Sequence, residues 1–207
     1  GAARIGKITR RLLGCRPVCA KIGLYGSFQK TYLGHGTDKA LIGGLLGMNV
    51  DDLRLRNSLE IARQEGLEYS FYPAELRHAH PNTVILDVDG EDGRHLTVQA
   101  SSVGGGEIRV NAIDGLEAGF SGHENTIVLT YADTRGMIAA ISRQVSEAHL
   151  NIATMRVFRD TQGGKAIMAL ELDGEAPDEL LQALAQLRDV YRVAYLPAAE
   201  ENASCEQ

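Results

Sequence analysis

TIVLTYADTRGMIAAISRQVSEAHLNIATMRVFRDTQGGKAIMALELDGEAPDELLQALAQLRDVYRVAYL, residues 126–196, is the stretch whose reading decides the fold. Thr126–Tyr131 is an apolar run of strand length, and Met137–Ala148 places Ile138, Ile141 and Val145 on one helical face. Ile152–Arg159 reads as a second strand, and Gly163-Gly164 turns into a third, Lys165–Glu171. Pro177, in the favoured first helical position, opens a helix through Leu187, and Tyr191–Leu196 closes the set. The order βαββαβ within about seventy residues is a ferredoxin-like arrangement.

Working outward, glycine marks the boundary of this unit. Nineteen of the 23 glycines fall in residues 1–122 and four after, so tight turns and close backbone approaches concentrate in the front part. The junction is expected near Ser121-Gly122-His123, giving units 1–121 and 124–197 and a frayed tail 198–207. In front, Ala2–Leu13 reads as a helix, Ala20–Tyr25 as a strand, and Thr37 or Asp38 as the N-cap of a helix to about Leu46. Asn57–Gln64 is a further helix stopped by Gly66. Thr83–Val88 and His95–Ala100 flank the turn residues Asp89–Gly93 as a hairpin, and the strand Glu107–Ala112 follows Gly104-Gly105-Gly106. The class is α/β in the broad α+β sense.

A chain of 207 residues, 44% hydrophobic and 23% charged, has enough material for two small cores. No apolar run approaches the ~18 residues of a membrane helix. Cys15, Cys19 and Cys205 are too few for a disulfide framework, which points to a reducing compartment, the cytoplasm. A net charge of −6 argues against a nucleic-acid binder, yet residues 1–37 carry seven Lys/Arg and no acid. Ile5, Ile8 and Leu12 already have helical spacing, so the sequence is expected to lack its natural beginning. A transit peptide also starts basic and amphipathic, but the opening helix Ala2–Leu13 has a single hydroxyl residue, Thr9, where such peptides are serine-rich. A solvated basic helix face accounts for the same residues.

Three stretches could carry chemistry. In Tyr25–Asp38 the glycines around His35 leave its approach to a ligand open, and Gly36, Thr37 and Asp38 at a helix start offer N–H donors to a carboxylate. A helix cap beside a surface histidine explains these residues too. His78-Ala79-His80-Pro81-Asn82 has histidines two apart, but no further ligands stand at a diagnostic spacing, so no metal is expected here. Proline holds His80 extended, and a loop presenting His80 and Asn82 to a pocket competes with an ordinary surface loop. Ser101–Gly106 could form an anion-binding nest of backbone N–H groups, without the Lys-Ser/Thr ending of a phosphate loop. Three cysteines cannot supply the four thiolates of an iron–sulfur or zinc site.

Tyr25-Gly26-Ser27-Phe28, Lys30-Thr31-Tyr32, Gly34–Asp38, Leu45–Met48, His80–Thr83 and Ser102–Gly106, in this order and spacing, resemble the beta subunit of bacterial iron–sulfur-dependent L-serine dehydratases. Asp133–Ile138 and Asn151–Met155 resemble the signatures of an ACT domain, a module through which amino-acid enzymes sense amino acids. The resemblance implies a lyase converting L-serine to pyruvate and ammonia, with a 4Fe–4S cluster bound by the cysteines of an alpha partner. It implies that His35, Asp38 and His80 are catalytic, and that Gly36, Thr37, Asn82, Ser102, Gly104, Gly105 and Gly106 bind substrate. Gly136, Met137, Asn151 and Ile152 would bind an effector, and ACT domains would self-associate. Two departures stand out. The serine-rich motif ending in His-Thr that family members carry before Gly1 is absent, and Thr134-Arg135 replaces the usual Arg-Pro of the ACT turn, which frees φ and adds an N–H.

Two other readings remain open on sequence. One is a non-catalytic, serine-sensing ACT protein; the other is an ACT-linked substrate-binding domain of a serine-pathway dehydrogenase. The second would require a nicotinamide-binding domain upstream, and no Gly-x-Gly-x-x-Gly fingerprint occurs here.

Overall fold

The structure, a computed structural model, describes residues 1–198. Residues 199–207, with Cys205 and nearly all of the expected frayed tail, lie outside the described residues. The chain divides into two compact units, Gly1–Ser121 and the residues from Gly122 on.

The front unit runs α1 (Ala2–Leu13), β1 (Pro17–Leu24), α2 (Ser27–His35), α3 (Thr37–Leu45), a 3-10 turn at Leu53–Asn57, α4 (Ser58–Gln64) and β2 (Glu68–Pro73). Four strands follow: β3 (Thr83–Gly90), β4 (His95–Gly104), β5 (Glu107–Ile113) and β6 (Leu116–Phe120). They form one sheet in the order β2-β1-β3-β4-β5-β6, with β1 and β2 parallel and every other neighbouring pair antiparallel. Period-2 alternation buries Val84, Leu86 and Val88 of β3 and Leu96, Val98 and Ala100 of β4 on one face, opposite Asp87, Asp89, His95 and Thr97. Ile5, Ile8, Leu12 and Leu13 bury the matching stripe of α1.

α1 starts against Ser102 and the Glu107 carbonyl and ends where the Leu13 carbonyl accepts from Arg94 Nη1 at 3.5 Å, so it spans the sheet from one end to the other. α3 crosses it at two glycines whose backbones touch. A Cβ on Gly44 would lie 2.2 Å from the Ala3 carbonyl oxygen, and one on Gly6 would lie 2.3 Å from that of Leu41. Further along, Arg10 Nη1 donates to the Leu45 carbonyl at 2.9 Å. The two helices therefore run in the same sense, and α1 begins at the end of the sheet that carries Ser102.

On the opposite face His95 Nδ1 lies 2.8 Å from Asp89 Oδ1, and Nε2 lies 3.8 Å from Asp87 Oδ1. The Asp89 hydrogen bond raises the His95 pKa above its ordinary value, burial opposes it, and the charges of Asp87, Asp89 and Asp114 add to the rise. A raised folded pKa adds stability that is fully present below the unfolded value near ~6.5 and is lost as pH rises through the folded value. His95→Gln is thus expected to lower the thermal midpoint at about pH 5.5 and to leave it unchanged above about pH 8. An equal loss at both pH values, read by thermal unfolding, would refute the assignment.

The back unit is β7 (Asn125–Ala132), α5 (Met137–Glu147), β8 (Ile152–Arg159), β9 (Lys165–Leu172), α6 (Asp178–Ala185) and β10 (Val190–Leu196). The antiparallel sheet has the order β10-β7-β9-β8, the expected βαββαβ topology. Its core joins Ile127, Leu129, Tyr131, Met168 and Leu170 of the sheet to Met137, Ile141, Val145, Leu180 and Leu184 of the helices.

Several local readings are corrected. Tyr25–Asp38 is no polar run: it contains α2, a helix with no buried residue and therefore no apolar stripe to betray it. Neither Thr37 nor Asp38 caps α3. Gly36, at φ 68°, closes α2 by donating its N–H to the Tyr32 carbonyl and also occupies the N-cap of α3, which pushes Thr37 and Asp38 inside the first turn. Pro177 is the N-cap of α6 rather than its first residue, and the helix ends at Ala185. Gly104–Gly106 form no separate nest: β4 runs through Gly104, and the three glycines, all at positive φ, make the hairpin into β5. β2 and β6 had no counterpart in the sequence reading.

Candidate functional site

The end of the front sheet where α1 begins gathers His80, Asn82, Ser102 and the Gly104–Gly106 hairpin. β1 and β3 meet there at the Leu24–Val84 pair, and the loop before β3 folds over the start of α2, whose Ser27 N–H donates to the Pro81 carbonyl at 2.7 Å. His80 in that loop is exposed, and its Nδ1 accepts the Asn82 N–H at 3.1 Å. The Asn82 carbonyl accepts from Ser102 N at 2.9 Å, so His80, Asn82 and Ser102 are adjacent. Arg4 Nη1 donates to the Gly106 carbonyl at 3.0 Å and holds the glycine hairpin against the first turn of α1.

A buried hydroxyl network fixes this loop. Thr83 Oγ1 donates to the His80 carbonyl at 2.7 Å and lies 2.8 Å from Ser101 Oγ, which accepts from Asn111 Nδ2 at 2.7 Å. Thr83 and Ser101 are both buried. Thr83→Val keeps the shape and strands these partners, so it is expected to destabilise the front unit by about 1–3 kcal/mol in urea unfolding. A change below about 0.5 kcal/mol would mean that the network does not anchor the loop.

His35 and His80 are not side by side. They stand near opposite ends of α2, a nine-residue helix about 13 Å long. His35 is exposed at its C-terminal end beside Gly36, Thr37 and Asp38, whereas Asp38 is buried on the face of α3 shared with Leu41, Ile42 and Leu45. Both rings reach one small molecule only by leaning along α2 toward each other. Arg4 escaped the sequence reading because its partner Gly106 is 102 residues away and no local motif marks it.

In the back unit an open depression of about 460 Å³ is lined by Tyr131, Asp133, Thr134, Arg135, Gly136 and Met137, among others. Asp133 accepts from Arg159 Nη1 at 2.9 Å and from Gly163 N at 3.3 Å, and these bonds hold its carboxyl below the usual range. The depression takes in the first turn of α5, Met137, Ile138 and Ala139. Asn151 and Ile152 lie elsewhere. Ile152 pairs with Leu172, which also faces Asn125, whereas Gly136 follows the Ala132–Lys165 pair at the far end of β7, about 25 Å away. Asn151 Nδ2 donates instead to Asp173 Oδ2 at 2.6 Å. One chain therefore does not bring the four candidate effector residues together.

The described residues do not fit an iron–sulfur cluster. Among the described residues no group of three or more His, Cys, Asp or Glu could hold a metal ion. Cys15 Sγ is engaged with Asp92 Oδ1 at 3.1 Å, and burial followed by that carboxylate push its thiol pKa up, away from the thiolate a ligand requires.

Fold and site together define a chain in which an α/β unit with a polar cradle precedes a ferredoxin-like unit; residues 125–189 of the latter match the ACT domain family. The probable L-serine dehydratase beta chain of Bacillus subtilis (strain 168) is 35% identical over 193 residues, 93% of this chain and 87% of that protein. The L-serine dehydratase beta chain of Peptoniphilus asaccharolyticus is 32% identical over 185 residues, 89% of this chain and 83% of its own length. The D-3-phosphoglycerate dehydrogenase of Bacillus subtilis (strain 168) is 29% identical over 156 residues, 75% of this chain but 30% of that enzyme. The chain belongs to the family of L-serine dehydratase beta chains.

Proposed function

We propose that this chain is the beta component of an L-serine dehydratase, a lyase that acts with an alpha partner to convert L-serine to pyruvate and ammonia. The observation that carries this reading is the match to two beta chains across about nine-tenths of the sequence, which takes in both units. In the reaction serine loses its α-proton and its β-hydroxyl, as water, to give 2-aminoacrylate. The imine tautomer then takes up water and releases ammonia, leaving pyruvate.

The elimination needs one group to accept the α-proton and one to protonate the departing hydroxyl. Because His80 Nδ1 accepts the Asn82 N–H, its neutral ring carries the proton on Nε2 and is a donor. His80 is therefore assigned to the hydroxyl and His35 to the α-proton. Asn82, Ser102, the Gly104–Gly106 hairpin and the N–H group of Thr37 are assigned to substrate binding, whereas the Gly36 N–H is already given to the Tyr32 carbonyl. A 4Fe–4S cluster belongs, in this reading, to the alpha partner, and the assembly to a reducing compartment such as the cytoplasm.

The ACT unit is assigned to amino-acid sensing. Two copies pairing in antiparallel sense along the edge strand β8 would carry Asn151 and Ile152 of one toward Gly136 and Met137 of the other, which supports self-association as the way to complete the effector site. The test is co-expression with an alpha partner under anaerobic conditions. Serine-dependent pyruvate formation is expected, and an oxygen-sensitive brown complex without it would overturn the proposal.

A further inference from the structure

Two charged side chains at the cradle are each left with a buried polar atom and no partner. Asp38 is 4% exposed, and its Oδ1 is sealed from solvent without a hydrogen-bond donor. It does not serve the helix either, since no side chain caps α3. Arg4, with 18% of its side chain exposed, uses Nη1 on the Gly106 carbonyl and lies 3.9 Å from Glu107 Oε1, while its Nη2 is buried with no acceptor. A buried carboxylate oxygen without a donor and a buried guanidinium N–H without an acceptor are both costly, and a fold retains such groups where something from outside completes them.

The two needs are opposite in sign, and no ion pair joins the two residues among those described. Both sit in the first turns of two helices that run in the same sense and touch at Gly6 and Gly44, Arg4 two residues before the Gly6 contact and Asp38 six before Gly44. A metal cation would satisfy Asp38 alone and be repelled by Arg4; a phosphate would do the reverse. A molecule bearing an ammonium and a carboxylate on one carbon satisfies both. We propose that Arg4 and Asp38 are the two arms of an α-amino-acid clamp, in which Arg4 Nη2 donates to the substrate carboxylate beside the Gly104–Gly106 hairpin and Asp38 Oδ1 accepts from the substrate ammonium. The clamp rests on the serine-dehydratase reading and gives it its selectivity for α-amino acids over hydroxy acids and amines.

The test uses the complex of this chain with its alpha partner, measuring L-serine turnover and competitive inhibition by two analogues. L-serinamide keeps the ammonium and lacks the carboxylate, whereas 2,3-dihydroxypropanoate keeps the carboxylate and lacks the ammonium. Asp38→Asn is expected to raise the KM for L-serine and the inhibition constant of serinamide by about 10- to 100-fold, and that of dihydroxypropanoate by less than about twofold. Arg4→Gln is expected to show the converse, weakening dihydroxypropanoate and sparing serinamide. Either variant weakening both analogues equally, or neither, overturns the clamp. If Asp38→Asn or Arg4→Gln fails to fold by circular dichroism, Asp38→Ser or Arg4→Lys takes its place and must show the same asymmetry. A wild-type complex that forms no pyruvate would refute the enzyme reading instead; calorimetry of L-serine against the same variants would then decide the clamp.

Discussion

Replacing His80 with asparagine is expected to lower pyruvate formation by the reconstituted complex by about 10²- to 10⁴-fold, the range typical of a lost general acid or base. The substitution is chosen for what it keeps. An asparagine Oδ1 occupies nearly the position of the imidazole Nδ1 and can go on accepting the Asn82 N–H, while the contact between the His80 carbonyl and Thr83 Oγ1 involves backbone and is untouched. What disappears is Nε2 and its proton. The loop, the start of α2 and the Ser102 contact should therefore survive, and the thermal midpoint should stay within the small range of a surface substitution. A drop of less than about tenfold would remove His80 from the chemistry. His35→Asn completes the assignment: if His35 takes the α-proton, its loss should lower pyruvate formation by a comparable factor.

The largest effect on stability is expected from a single methyl group at the α1–α3 crossing. In Gly44→Ala the new Cβ would stand 2.2 Å from the Ala3 carbonyl oxygen and 2.7 Å from Lys7 N, both main-chain atoms that have no rotamer to move into. The helices would have to separate, and overpacking of this kind costs about 1–3 kcal/mol and more where the neighbour is backbone. Gly34→Ala in the exposed helix α2 supplies the control, since nothing lies within 4 Å of its Cβ position. There the loss of glycine in a helix should stabilise by up to about 1 kcal/mol. Urea unfolding of the two variants should move the midpoint in opposite directions, and a shared direction would refute the close crossing. Because Arg4 and Asp38 start on either side of this contact, Gly44→Ala is also expected to raise the KM for L-serine.

The back unit was legible because its signals are local. Met137, Ile141 and Val145 of Met137–Ala148 do face the core, although Ile138 is left exposed, and the strand runs around Gly163 pair as their alternation implies. The front unit was only partly legible. α2 buries nothing, and β2 is an edge strand with an irregular pattern ending in Pro73, so neither leaves the periodic trace that burial imposes. The site followed the same division. His80, Asn82 and Ser102 were found as motif residues and turn out adjacent, whereas Arg4 matters through a contact across the whole front unit. Asp38 was read as a cap because acidic residues favour helix starts, but one glycine took that position and left the carboxylate buried. The distance from Gly136 to Asn151 depends on strand direction, which no short motif records.

The parallel pairing of β1 with β2 has a bearing on how the cradle behaves under stress. β3 to β6 form a meander of neighbouring hairpins, whereas β2 reaches β1 only after the chain has laid down α2, α3 and α4 between them. Ring closure over that long excursion is slow, and the edge strand that seals it is held from one side alone. Amides of β2 should therefore exchange with deuterium well before those of β3 and β4, through an opening that frees the excursion carrying His35 and Asp38 while the meander stays intact. In mild denaturant, turnover should fade at concentrations where most of the sheet still holds its protons.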